Sequence, residues 1–240
     1  FLKYYQTATS RYKVHSPFVF DFVENVLEDK RTFYAFDEVE ALRKLIYRDK
    51  RSVSMATNQP SNIKTIARKH TSLPYCCRVL FKTIHHYKPK TILELGTTFG
   101  VTTIYAATAA LDRKVFTTDA SSSILNVAKE NFKLLGVANI HAITADYSNA
   151  LDQIEAQSIQ CLIINPAAVT ALDANAVVHL IAEKGMVIVT DIQNTEAQLF
   201  WKSLQETTQG SLYNDSYQMG IIWKNNVVEA KRSHTLIASH

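Results

Sequence analysis

Through the first third of the chain, apolar residues recur at helical spacing; beyond it they gather into short β-branched runs. Phe18, Phe22, Val23 and Val26 fall three and four residues apart, the spacing of one helix face. Ser16 and Pro17 supply an N-cap and a first-turn proline, so a helix is predicted to start there. Val39, Leu42, Leu45 and Ile46 make a second stripe, with Asp37 as its predicted cap. Ile63, Ile66 and Ala67 make a third, opened by Ser61, and a fourth helix is predicted from Leu73 to Tyr87, stopped by Pro89. The polar stretch 52–60 reads as a loop.

After Lys90 the predicted strands 91–95, 114–118, 139–144, 160–164 and 185–190 alternate with predicted helices 101–111, 122–135, 147–156, 171–183 and 195–207. Such alternation implies an α/β fold with a mostly parallel sheet covered on both faces. The runs 212–217 and 221–224 flank a turn at Gln218-Met219-Gly220, which predicts a closing antiparallel hairpin and seven strands in all. The chain divides into an N-terminal helical cap (1–88), an α/β domain (89–225) and a surface tail (226–240). Its 240 residues, 47% hydrophobic, suffice to bury a core without disulfides or a structural metal. No apolar run approaches the roughly 20 residues that span a bilayer, and Phe1 to Ser10 lacks the apolar stretch of a signal peptide. Cys76, Cys77 and Cys161 are odd in number and have no C-x-x-C spacing, which favours a reducing, cytoplasmic setting and argues against zinc.

Charge sharpens the division. Residues 1–90 carry 17 Lys and Arg against 8 Asp and Glu, a balance of +9, whereas residues 91–240 balance at −5. Lys64, Arg68, Lys69, Arg78, Lys82, Lys88 and Lys90 could form a nucleic-acid footprint. No nucleic-acid-binding motif accompanies them, and a solvated basic face is the simpler reading.

The chemistry concentrates at Glu94-Leu-Gly96-Thr97-Thr98-Phe-Gly100, between the first strand and its helix. Glycine there lets the backbone approach a ligand at the carboxyl ends of the strands. A dinucleotide would want G-x-G-x-x-G, but Thr98 replaces the middle glycine, and Glu94 would repel a diphosphate. S-adenosylmethionine, cationic and without phosphate, fits that acid. Asp119, at the end of the second strand, can accept from both ribose hydroxyls. Asp146, beside Tyr147, can take the adenine amino group or cap the next helix. His85, His86, His15 and His141 have no setting that singles out a general base.

The run from Glu94 to Thr102 resembles the first motif of class I S-adenosylmethionine-dependent methyltransferases, which have a Rossmann-like seven-stranded sheet. Within that class it is closest to the small-molecule O-methyltransferase pattern E-x-G-x-x-x-G-x-[ST]. His15-Ser-Pro-Phe-Val-Phe20, with Phe33 to Phe36 and Glu38, is similar to an uncharacterised bacterial family found in Bacteroidetes. The resemblance covers nearly the whole chain apart from the tail. It implies a small-molecule methyl acceptor, S-adenosylhomocysteine as product, and a cofactor site of Glu94, Gly96, Thr97, Thr98, Gly100, Asp119, Asp146 and Tyr147. It says nothing of oligomeric state.

Metal-dependent members of that group are expected to carry an Asp after the fourth strand and an acidic pair after the fifth. Here those places hold Asn165 and Thr190-Asp191, too few carboxylates for Mg²⁺, so no metal is expected. Asn165 and Asp191 are left as the candidate catalytic groups at the acceptor mouth. Loss of those acids keeps open a second reading, a cofactor-binding or scaffold protein without transfer. The basic segment keeps open a third, a nucleic-acid-directed methyltransferase or binder.

Overall fold

The computed structural model describes residues 17–56, 59–152, 154–208, 212–215, 218–224 and 233–235. Ser16 and the rest of 1–16 lie outside the described residues.

Four helices precede the main sheet. α1 (Pro17–Phe22) runs straight into a π-helical turn, Val23–Leu27. α2 (Tyr34–Ile46) starts three residues before Asp37 with Phe33 at its N-cap. Asp37 is therefore a first-turn acid favoured by the helix dipole rather than the cap. The stretch read as a loop is a short antiparallel ribbon, β1 (Ser52–Ser54) and β2 (Pro60–Asn62). Three-residue strands are too short to show an alternation in sequence. α3 (Ile63–His70) is capped by Asn62, whose Oδ1 accepts from Thr65 N at 2.8 Å, not by Ser61. α4 (Pro74–Tyr87) ends at Lys88, which turns left-handed ahead of Pro89.

The α/β part follows as β3 (Ile92–Leu95), α5 (Val101–Ala109), β4 (Val115–Asp119), α6 (Ser122–Leu134), β5 (Ile140–Thr144), α7 (Tyr147–Asp152) and β6 (Ile159–Ile164). It closes with α8 (Ala174–Leu180), β7 (Ile181–Thr190), α9 (Thr195–Thr207), β8 (Leu212–Asp215) and β9 (Met219–Trp223). A further strand, β10 (Ser233–Thr235), pairs parallel to β8, so part of the expected tail is a sheet edge, where short parallel pairing leaves no sequence signal. The eight strands are ordered β10-β8-β9-β7-β6-β3-β4-β5. β3 to β7 run parallel, and β9 is antiparallel to both β7 and β8.

Side chains alternate across the strands and build two cores. Cys161 and Ile163 of β6 join α1 to α6 on one face, while Leu162 and Ile164 join α7 to α9 on the other. The cap helices share the first core directly with the sheet: Phe22 meets Trp223 edge to face at 5.1 Å. Arg43, 4% exposed, donates to Ser72 O (2.5 Å), Glu40 (2.8 Å) and Cys77 Sγ (3.4 Å), fixing the turn between α3 and α4. All three cysteines are buried free thiols. No helix among the described residues is long and apolar enough to cross a membrane.

β4 lies on one side of β3 and β6 on the other. The chain thus reverses its direction of winding at β3, and the crevice beyond the carboxyl ends of β3 and β6 is where such sheets bind ligands.

Candidate functional site

The turn after β3 opens this crevice. Gly96 (φ +90°) and Gly100 (φ +83°) take left-handed conformations, as does Thr98 (φ +50°). A Cβ at Gly96 would lie 3.3 Å from Asn165 Cβ, and one at Gly100 would run into the Phe132 ring. Both glycines therefore answer a steric need as well as a backbone one. Gly96 N and Thr97 N both donate to Thr118 O (2.9 and 3.1 Å), pinning the turn to β4.

Asp119 is 4% exposed. Its Oδ2 accepts from Thr98 N at 2.9 Å and its Oδ1 from Ser121 N at 3.0 Å. Burial pushes its carboxyl up while those two N–H groups pull it back. Each oxygen keeps a lone pair for a further donor. Asp119 lines a cleft of about 130 Å³ with Thr98, Ser121, Ile124, Tyr147, Met55, Ile66 and His70. Tyr147 is buried there, whereas Asp146 is exposed and accepts from Ser148 N (3.2 Å) and Oγ (3.3 Å), the bonds of a helix cap.

Glu94 lies one layer below. It is fully buried, with Thr103 Oγ1 and Thr117 Oγ1 (2.6 Å) donating to Oε2 and Asn165 Nδ2 (2.9 Å) to Oε1. Burial raises its carboxyl to about 7 against the pull of these three donors. Asn165 also donates to Gly96 O (2.8 Å) and accepts from Thr190 Oγ1 (2.8 Å). Thr97 Oγ1 pairs with Thr117 Oγ1 at 2.6 Å. The two residues read as ligand-facing polar groups, Glu94 and Asn165, are thus joined to each other, and they tie α5, β4 and the ends of β6 and β7 beneath the turn. Asp191, half-buried in a left-handed conformation (φ +55°), follows β7 immediately; burial raises its carboxyl too.

One residue stands out that sequence reasoning passed over. His70, the last residue of α3, lines the Asp119 cleft and also a small polar pocket with Thr71, Thr97, Thr98, Thr102 and Asn165. Its Nδ1 is buried without a hydrogen-bond partner among the described residues, as are Thr71 Oγ1 and Ser72 Oγ. Burial and the neighbouring Lys69 lower the His70 pKa, with Glu196 opposing them, so the imidazole is neutral at pH 7. A buried polar atom without a partner costs about 1–3 kcal/mol. Nothing in the run Lys69-His-Thr-Ser-Leu73 signals this; the 25 residues between His70 and Gly96 are bridged only by folding.

Of the histidines weighed from sequence, His86 Nε2 contacts Asp21 Oδ2 at 2.9 Å, and His85 stacks on Phe81. His141 stacks on Phe116 at the far edge of the sheet, and His15 lies outside the described residues. In the basic segment Arg78 sits over the Phe36 ring and Lys82 donates to Asp29 O, so both serve the packing of the cap. No cluster of three or more His, Cys, Asp or Glu side chains able to hold a metal occurs among the described residues.

Residues 69–191, the stretch that carries this site, match the family described as the methyltransferase small domain. No curated protein matches the sequence. Among solved structures, a methyltransferase from Geobacter sulfurreducens is similar at 10% identity, TM-score 0.59, covering 88% of this chain and 97% of that one. An O-methyltransferase from Bacillus cereus in complex with S-adenosylhomocysteine is similar at 17% identity, TM-score 0.56, over 85% and 95%. An S-adenosylhomocysteine-bound methyltransferase from Podospora anserina is similar at 15% identity, TM-score 0.52, over 82% and 100%. At these identities the likeness is one of fold: the Rossmann-like methyltransferase architecture, with its mostly parallel sheet and antiparallel hairpin.

Proposed function

As the chain belongs to the methyltransferase small domain family, we propose that it transfers the methyl group of S-adenosylmethionine to a small-molecule acceptor without a bound metal. The observation that carries this reading is Asp119, buried at the end of β4 and held by Thr98 N and Ser121 N with a lone pair free on each oxygen. That carboxylate suits the two hydroxyls of a ribose. The glycine turn suits close approach of the ligand's amino-acid part, and Tyr147, Ile124 and Ala120 offer an apolar wall to an adenine. Asp146, committed to its helix cap, would meet the adenine only from outside. Glu94, raised by burial to about 7, would act from beneath as a carboxyl that a cationic ligand above it draws toward its charged form.

When bound, S-adenosylmethionine supplies an electrophilic methyl on a sulfonium. The protein's part is to orient the acceptor for in-line attack, between the turn, Asn165 and Asp191. A metal-free reading is supported by the donor set: Asn165 is spent on Glu94, Gly96 and Thr190, which leaves Asp191 as one carboxylate where Mg²⁺ needs several oxygens. The cleft, about 130 Å³, is smaller than the roughly 300–1,000 Å³ of drug-sized ligand sites. Its lining residues would therefore have to move apart on binding. We place the protein in the cytoplasm on its free thiols. The reading as a binder without transfer draws on the same bonds of Asn165, and turnover separates the two.

The test is calorimetric titration with S-adenosylhomocysteine, with and without Mg²⁺. We expect binding that ignores Mg²⁺ and weakens at least tenfold in Asp119→Asn, because one charge-assisted bond of about 1.5–3 kcal/mol is lost. Absence of heat and of thermal stabilisation at millimolar ligand would overturn the proposal.

A further inference from the structure

We propose that β5 is a dimer edge: two copies of this chain pair their β5 strands antiparallel about a two-fold axis at Ala142, joining two sheets into one. The inference stands apart from the methyltransferase reading and does not need it.

Three observations carry it. The first is an open ladder. β5 is the last strand of the sheet and pairs with β4 alone among the described strands. Val115 N donates to Asn139 O at 2.9 Å, so alternation along β5 turns the N–H and C=O groups of Ile140, Ala142 and Thr144 away from β4. Natural edges are guarded by charges, prolines or bulges; Ile140-His-Ala-Ile-Thr144 has none of these. The second is an uncovered face. Parallel strands are normally buried on both faces, but α7 has only six residues and leaves the β4–β5 end of the sheet bare. Leu93, Phe116 and His141 form one row by register. The Phe116 and His141 rings stack at 5.2 Å, and Phe116 and Ile143 are 40% and 56% exposed. Phe116 and Ile143 border an apolar hollow of about 350 Å³ with Leu93, Ala150, Ile154 and Ile159.

The third observation names the occupant. Lys114, level with Asn139, and Lys133 on α6, beside Ile140, flank the N-terminal end of β5. Asp146 follows its C-terminal end, all three are exposed, and the strand itself carries no charge. Antiparallel pairing sets the basic end of each copy against the acidic end of the other. A patch complementary to itself under a two-fold is what a closed homodimer requires. The pairing exchanges about six main-chain hydrogen bonds, between Ala142 and the partner's Ala142 and between Ile140 and the partner's Thr144, each taken both ways round. It also sets His141 opposite the partner's Ile143 in a narrow pair, where side chains lie closest. The row Leu93-Phe116-His141 thus continues onto an apolar side chain of the second copy. The two crevices open at opposite ends of the joined sheet.

The experiment is sedimentation velocity of the full chain over a series from micromolar to millimolar, where the wild type should become a dimer. His141→Glu and Ile143→Lys change exposed side chains, so each should keep the wild-type melting temperature and weaken the dimer at least tenfold. Mixed together, these two variants should dimerise again, because one cross-strand pair stays native and the other brings the introduced carboxylate against the introduced ammonium. Mixed His141→Cys and Ile143→Cys should likewise form a disulfide-linked pair under mild oxidation, the native thiols being buried. The proposal is overturned if the wild type stays monomeric throughout, which would leave the edge to another protein's strand. It is overturned equally if the dimer ignores both charged variants, or if their mixture fails to recover it.

Discussion

Replacing Glu94 by glutamine probes the network under the glycine turn without removing its shape. The carboxyl is fully buried, and burial raises it from an unfolded value of 4.5 to about 7. Because the folded value is the higher one, the folded chain holds this proton where the unfolded chain has released it. Stability is therefore undiminished below pH 4.5, falls as pH rises from 4.5 to about 7, and levels above. The gap of about two and a half units at 1.36 kcal/mol each amounts to about 3 kcal/mol, a sizeable share of the 5–15 kcal/mol of a typical domain. Glutamine carries no proton to lose. Its carbonyl can take the Asn165 Nδ2 bond, and its amide can donate to the Thr103 and Thr117 hydroxyls, which rotate to accept. Urea unfolding at half-unit steps from pH 4.5 to 8 should show the difference between Glu94→Gln and wild type moving toward the variant by about 3 kcal/mol. A pH-independent difference would refute the reasoning and mean that the three hydrogen bonds outweigh burial.

Two further substitutions bear on the same region. Gly100→Ala combines a left-handed φ of +83° with a Cβ driven into Phe132; the urea midpoint should fall by the equivalent of about 2–4 kcal/mol, and S-adenosylhomocysteine affinity should fall with it. Asn165→Asp, which restores the acid expected at that place, would set a second carboxylate against Glu94 at the 2.9 Å now spanned by a hydrogen bond. It should lower the melting temperature markedly at pH 8 and much less at pH 5, where one of the pair is protonated, and it should confer no Mg²⁺-dependent stabilisation.

Much of this was legible because it is local. The glycines of the turn, Asp119 at the end of β4 and the alternation of strands with helices all follow from short-range pattern and spacing. Asp37, Ser61 and the ribbon at 52–62 were misread for a local reason also: Phe33 begins α2 with no side-chain cap, and three-residue strands have no period. Glu94 and Asn165 were harder. A carboxylate at a strand end looks the same in sequence whether it faces a ligand or three internal donors, and the donors lie 9, 23 and 71 residues away. His70 was illegible because its place in the cleft beside Asp119 exists only once α3 is folded onto the turn.

The two walls of the cleft come from stretches that do not interleave. Met55, Ile66 and His70 stand on one side, and Thr98, Asp119, Ser121, Ile124 and Tyr147 on the other. The wall built from residues upstream of Pro89 can therefore be exchanged by recombination, leaving the opposite wall intact. Such a graft is not free of conditions. Phe22 packs on Trp223, Phe36 on Tyr105 at 5.7 Å, and the Tyr105 hydroxyl donates to Glu40 at 2.9 Å. A transplanted cap must bring these undersides with it, so new specificities would be inherited as whole caps rather than as single residues.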